Sequence, residues 1–364
     1  MTKLRNFYIL LFWTISWFFL ANFFVLIRFV GFNWAEKILT WSQSEYSIIF
    51  SQASFAGTFI GLFFGLLDII LSKYNALHRI SFGSLVLLKS ILSLIAAILG
   101  LALVIYFAAY INIGSHQLAM ERTILFFTGS YFLVIMIYFL YNNLLLNFIR
   151  QVNDKFGRGN IIKIFFGNYY HPVEEERIFI FIDLKSSTQY AERLGHENYS
   201  RLIQDCFYDI TPVAYRTKGK IYQYVGDEVV LTWKAIPENY RNAVKLFYGF
   251  KKKILKRADY YKEKYGFVPE FKAGLNSGKV MVAEVGVLKK EIAYHGDVLN
   301  TTTRIQMECN FYQKQLLASE CFIQSLPDMN KYKIEFVNKV KLKGKSEPVN
   351  MYCIEIKQQE FMIP

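Results

Sequence analysis

Four apolar runs within the first 149 residues constrain this chain more than any other feature. A helix crosses the hydrocarbon core of a bilayer with roughly 20 apolar residues. Residues 7–30, 48–71, 85–111 and 124–149 reach that length with few charges, whereas charges are dense from Arg150 onward. The expected division is an all-α domain of four transmembrane helices followed by a soluble half. The first run is too long for a secretory signal and lacks a small-residue cleavage site, so it is expected to stay as a span. Basic residues flank the runs unevenly: Lys3 and Arg5 before the first, Lys73 and Arg79 between the second and third, and Arg150, Lys155, Arg158 and Lys163 after the fourth. Cytoplasmic loops carry such an excess. Both termini and the soluble half are therefore expected on the cytoplasmic side of the cell inner membrane, with membrane lipid as a partner. Asp68 and Lys89 fall within runs but near their cytoplasmic ends, where snorkelling to the interface accounts for them.

Composition agrees with this division. A chain that is 53% hydrophobic and 18% aromatic exceeds the average for soluble domains. The formal charge of +13 comes partly from the basic flanks of the spans, and no zinc-finger spacing or base-stacking signature accompanies it. No nucleic-acid partner is indicated. Cys206, Cys309, Cys321 and Cys353 are scattered through the soluble half without a C-x-x-C, so neither a disulfide framework nor a zinc site is expected.

Residues 150–176 read as a linker or stalk: a continuation of the fourth helix, a break at "FGRGN", then a turn and an acidic lead-in at "YYHPVEEE". From Arg177 short β runs alternate with helical stretches, and "KIYQY" and "EVVLTW" flank Gly226 and Asp227 as a hairpin. Strands interleaved with helices predict an α/β domain on one mixed sheet over residues 177–357, with a tail at 358–364. Gly-Asp is ordinary turn chemistry. Asp183, however, ends the β run "RIFIFID" just before a helix opened by hydroxyl residues. Such a helix N-terminus attracts phosphate, and a carboxylate beside it holds the divalent cation that phosphates bring. Taken alone, each acid could equally be a cap or a turn residue. If the first strand and the hairpin are neighbours in one sheet, the two acids emerge at the same edge.

"FIDLKSST", "YVGDEVV", "GLNSGKV" and "HGDVLNTTTR" follow in that order, and the soluble half resembles a class III nucleotidyl cyclase domain from about Arg177 to Ile356. The resemblance implies a ferredoxin-like catalytic domain that cyclises a nucleoside triphosphate, ATP or alternatively GTP, with two divalent cations, Mg²⁺ or Mn²⁺. By the same resemblance Asp183, Asp227 and the Leu184 carbonyl are metal ligands, and Lys185, Ser186, Ser187 and Thr188 form a phosphate loop. Asn300 and Arg304 act on the transition state across a homodimer interface. Lys272 and Lys343, with Lys345 as a substitute, face the triphosphate. At the two purine-selecting positions this chain has Gln223 where the family carries Lys or Glu, and Ala293 where the adenylate type carries Asp or Thr. A Gln amide both donates and accepts, so it fits either purine edge. A membrane receptor that binds nucleotide without turnover, and a transporter with a cytoplasmic regulatory domain, are the competing readings.

Overall fold

A computed structural model describes residues 2–32, 43–72, 80–155, 167–287, 290–340 and 348–357. The chain divides into two compact units, Met1–Ile161 and Ile162–Pro364.

The first unit is helical: α1 (Thr2–Phe32), α2 (Gln43–Leu71), α3 (Phe82–Ile113), α4 (His116–Thr128) and α5 (Ser130–Lys155). Four segments, Asn6–Ile27, Ser47–Leu71, Phe82–Ile113 and Phe132–Asn153, are long and apolar enough to cross a membrane. The fourth starts later than the run at Ile124 implied. Gly129, in extended conformation (φ −77°, ψ 148°), separates α4 from α5 and assigns the first residues of that run to the shorter helix.

Helices α1 and α2 touch backbone to backbone. A Cβ on Gly61 would lie 2.5 Å from Thr14 Cα, one on Gly57 2.5 Å from the Trp17 carbonyl oxygen, and one on Gly65 2.9 Å from Leu10 Cδ2. Small residues four apart allow this close approach between membrane helices. Around that seam Trp13, Trp17, Phe64 and Phe139 form an aromatic core, with Trp17 stacked on Phe139 at 4.9 Å.

The expectation that Asp68 and Lys89 snorkel is overturned. Asp68 is only 4% exposed. Its Oδ1 accepts from Lys89 Nζ at 2.6 Å, and its Oδ2 accepts from Arg150 Nε at 3.2 Å and from Trp13 Nε1 at 3.4 Å. One acid thus ties α1, α2, α3 and α5 together. Burying a carboxylate between two cations is less costly than leaving each group alone in an apolar bundle.

The second unit runs β1 (Val173–Leu184), α6 (Ser187–Arg216, kinked at Gly195), β2 (Lys220–Val225), β3 (Glu228–Lys234), α7 (Pro237–Lys256), α8 (Ala258–Tyr265), β4 (Phe271–Val285), β5 (Glu291–His295), α9 (Asp297–Phe311), β6 (Leu316–Ser319), α10 (Glu320–Gln324), β7 (Tyr332–Val340) and β8 (Val349–Ile356). The strands form one mixed sheet in the order β2-β3-β1-β4-β6-β8-β7, with β5 paired to β4. Its first four strands, with α6 and α7 as crossovers, make the β-α-β-β-α-β ferredoxin-like arrangement. β1 begins at Val173, ahead of the expected start at Arg177, because Val173 to Glu176 pair with Val282 to Lys279 of β4.

β1 is central, buried on both faces, and its side chains alternate between two cores. Ile178, Ile180 and Ile182 pack with residues of α6, α7 and α8. Phe179 and Phe181 face the opposite side with Val230, Val280, Val282 and Tyr294. Helix α9 lies on that second side. A Cβ on Gly274 of β4 would come within 2.6 Å of the Gln306 backbone nitrogen, so only glycine lets the helix approach this closely. All four cysteines are free, and burial pushes the Cys309 thiol up to about 12.

Candidate active site

β1 carries Asp183 to its C-terminal end, and Leu184 completes the strand. The Lys185 N–H then donates to the Glu270 carbonyl at 2.9 Å, Ser186 adopts a left-handed conformation (φ 55°, ψ 32°), and Ser187 opens α6. Asp227 sits beyond the end of β2 in a two-residue turn whose first position, Gly226, has φ 61°. A two-residue hairpin with glycine at that position matches the natural strand twist. β1 and β3 are antiparallel neighbours with Ile182 opposite Val229, so the end of β1 and the hairpin turn meet at one edge of the sheet. The condition for pairing the two acids is met.

Asp183 also faces Lys272 directly across the β1–β4 ladder. Its Oδ2 lies 3.2 Å from Lys272 Nζ and accepts from Gln306 Nε2 at 2.8 Å. Burial and the nearby Asp227 push the Asp183 carboxyl above its ordinary range, against the opposing pull of Lys272 and Gln306. The same crowding acts on Glu228, the first residue of β3. Burial, then Asp183 and Asp227, push its carboxyl up to about 7. Tyr199 of α6 is drawn in as well: burial and Asp227 raise its phenol, a hydrogen bond with Ser187 lowers it, and Asp183 raises it again.

Three acids gathered at one sheet edge form a site of concentrated negative potential. Asp227 Oδ2 is buried and has no hydrogen-bond partner among the described residues. An orphaned buried carboxylate oxygen is costly unless something cationic meets it. Hard oxygen donors suit Mg²⁺ or Mn²⁺. The residues present therefore fit a divalent cation, although among the described residues no group of three or more His, Cys, Asp or Glu is arranged to hold a metal by itself. Such a site needs further oxygens from a bound phosphate, from backbone carbonyls or from water.

Other expected site residues fall into different groups. Lys185 pairs with Glu270 at 3.3 Å. Lys272 is 6% exposed and directed at Asp183. Asn300 and Arg304 lie on the outward face of α9, and among the described residues no hydrogen bond or ion pair joins either to Asp183 or Asp227. Gln223 is exposed on β2 and Ala293 is half-buried on β5. Each neighbours one member of an aromatic pair, Tyr222 and Tyr294, whose rings meet edge-on at 4.9 Å. Tyr294 is buried against Phe179 and Tyr222. Lys343 and Lys345 lie outside the described residues. Gln306, Glu228 and Tyr199 were not expected at the site. Of these Gln306 shares a helical stripe with Thr302, Ile305 and Cys309, a pattern that places it on one face of α9 without saying which way that face turns.

The sequence matches the family profile described as "Adenylate and Guanylate cyclase catalytic domain" over residues 170–356. The chain belongs to this family of class III nucleotidyl cyclases. It is similar to adenylate cyclase 2 of Rhizobium meliloti, with 32% identity over 203 residues covering 55% of each chain. Adenylate cyclase 1 of the same organism is 24% identical over 185 residues, 49% of this chain and 27% of that one. The chain thus spans about half the length, or less, of the curated relatives it matches. Among solved structures, a bacterial light-regulated adenylyl cyclase superposes with a TM-score of 0.54 at 15% identity, covering 63% of this chain and 67% of that one. That likeness supports the fold.

Proposed function

We propose that this protein is a membrane-anchored adenylate cyclase that converts ATP to cyclic AMP and pyrophosphate. In this reading residues 1–149 form the membrane domain, 150–176 the stalk and 177–357 the catalytic domain, with the catalytic domain and both termini on the cytoplasmic face of the inner membrane. The observation that carries the reading is the meeting of Asp183 and the orphaned Asp227 carboxylate beside the N-terminus of α6. Family membership supports it, and the adenylate cyclases among the relatives favour ATP.

The chain's own residues divide the work. Asp183, Asp227 and the Leu184 carbonyl hold the cations, and backbone N–H groups from Lys185 to Thr188 receive the β- and γ-phosphates at a helix N-terminus. When bound there, two divalent cations supply the charge that acidifies the 3′-hydroxyl and stabilises the leaving pyrophosphate. Arg304 neutralises charge growing on the α-phosphate, and Asn300 orients the ribose. Because Asn300 and Arg304 face outward from α9, they complete the site of a second copy of the chain, in an isologous homodimer with two composite sites. Lys343 and Lys272 contribute positive charge toward the triphosphate. Gln223 meets the purine edge, and Ala293 leaves that edge unread on one side.

The test is direct: full-length protein in detergent, with Mn²⁺ or Mg²⁺ and either ATP or GTP, analysed for cyclic products. Cyclic AMP from ATP is expected. Faster cyclic GMP formation from GTP would reassign the substrate, and no cyclic product from either nucleotide would overturn the reading.

A further inference from the structure

Helix α9 has two faces with different tasks. At roughly 100° per residue, Asn300, Arg304, Met307 and Phe311 fall within one narrow stripe, and Gln306 lies well over 90° from its centre. Burial follows the same division. Thr301, Thr302, Ile305, Gln306 and Cys309 are buried, whereas Met307 is 63% and Phe311 78% exposed. The inward face is locked to β4 at several points. Gly274 admits the backbone at Thr302 and Gln306, Asn276 Nδ2 donates to the Val298 carbonyl at 3.1 Å, and Cys309 Sγ donates to the Ala273 carbonyl at 3.3 Å. Ser319 Oγ in turn holds Asn276 Oδ1 at 2.6 Å.

From this fixed helix Gln306, 3% exposed, donates to Asp183 Oδ2. Lys272 approaches the same oxygen. With Oδ2 held by two buried donors, Oδ1 is the oxygen left to turn toward a ligand, and the rotation of the carboxylate is set by α9.

We propose that Gln306 is a positioning residue for the metal-holding Asp183, and that through α9 it couples the two composite sites of the dimer. The inward face of one helix orients the carboxylate of its own protomer, while the outward face carries Asn300 and Arg304 to the other site. Cation binding at one site therefore restrains the helix that serves the other, giving positive cooperativity in metal binding. This inference rests on the function proposed above.

The test compares wild type with Gln306→Met, which keeps length and helix propensity but removes the donor, and with Gln306→Asn, which keeps an amide too short to span the gap. Mn²⁺ binding is followed by electron paramagnetic resonance on the full-length protein with a 3′-deoxy nucleoside triphosphate, which cannot cyclise. Removing a partner that orients a metal ligand typically weakens metal affinity by about 10-fold or more. Both variants are expected to show that loss and a Hill coefficient near one, against a wild-type value above one. Their kcat at saturating Mn²⁺ should stay within about threefold of wild type. Melting curves identify a variant that fails to fold, in which case the other variant decides. Unchanged Mn²⁺ affinity in a folded variant overturns the positioning role. A wild-type Hill coefficient of one, or an undiminished one in the variants, overturns the coupling. Wild type that binds Mn²⁺ and nucleotide but forms no product from cyclisable ATP or GTP would instead count against the proposed function alone.

Discussion

Asp183 and Lys272 face each other across neighbouring antiparallel strands, with Nζ 3.2 Å from Oδ2. The ammonium group offsets charge at a carboxylate that burial and Asp227 already disfavour. Lys272→Met is therefore expected to destabilise the metal-free protein by about 2 kcal/mol, a value reduced because Asp183 is partly exposed. Mn²⁺ alone should recover more stability in the variant than in wild type, as measured by thermal unfolding with and without the cation.

Glu228 predicts a pH dependence. Its carboxyl is raised from 4.5 to about 7, so between those values the folded protein holds a proton that the unfolded chain has released. The resulting stabilisation is complete below about pH 4.5 and is lost as the pH rises through 7. Melting temperature of the metal-free protein, followed across this window, should carry a declining component that Glu228→Gln abolishes. An identical profile in the variant would show that Glu228 does not titrate there.

Composite sites predict complementation. Asp183→Ala and Arg304→Ala chains should each be inactive alone. Co-expressed, random pairing places half of the chains in mixed dimers with one intact site of two, so about a quarter of wild-type activity is expected. Dimers confirmed by cross-linking that recover no activity would argue against sharing.

Purine selection predicts a gain. Gln223→Lys with Ala293→Asp supplies the two polar contacts this chain lacks, and a matched polar contact rejects the wrong base because its own groups would be left unpaired. The ratio of ATP to GTP turnover should rise by about tenfold. Competition between the two nucleotides in one reaction measures it.

In the helical unit, Asp68→Ala leaves Lys89 and Arg150 without the acid they share. Breaking a buried pair in this way costs about 3 kcal/mol or more. Thermal unfolding of the detergent-purified full-length protein should show the loss, with a smaller one for Lys89→Met, which leaves Asp68 and Arg150 paired.

Much of the candidate site was legible because its signals are local. A strand that ends in Asp183 and a Gly-Asp turn between β runs are both readable within about ten residues, and the sheet needed only to bring them together. Partnerships across many elements were not legible. Nothing local to Asp68 names Lys89 or Arg150 as partners, so the run pattern favoured snorkelling. The stretch Val173 to Glu176 read as an acidic lead-in because its pairing strand lies more than a hundred residues onward, where Lys279 meets Glu174 at 2.9 Å. Gly129 was absorbed into an apolar run because hydropathy is blind to a single extended residue. Gln306 required knowledge of which face of α9 turns inward.

The seam of Gly57, Gly61 and Gly65 has a mechanical consequence. Where Gly57 and Gly61 bring α2 against the main chain of α1, no side chain from those two positions stands between the helices to flex or repack, so α1 and α2 pack as one closely joined pair. Displacement of α3 or α5 against that pair would act on the Asp68 carboxylate, on the Trp17–Phe139 stack and on the hydrogen bond from Tyr138 to the Leu20 carbonyl. The bundle is thus jointed between that pair and the two helices α3 and α5, and the Asp68 carboxylate is the charged member of the joint.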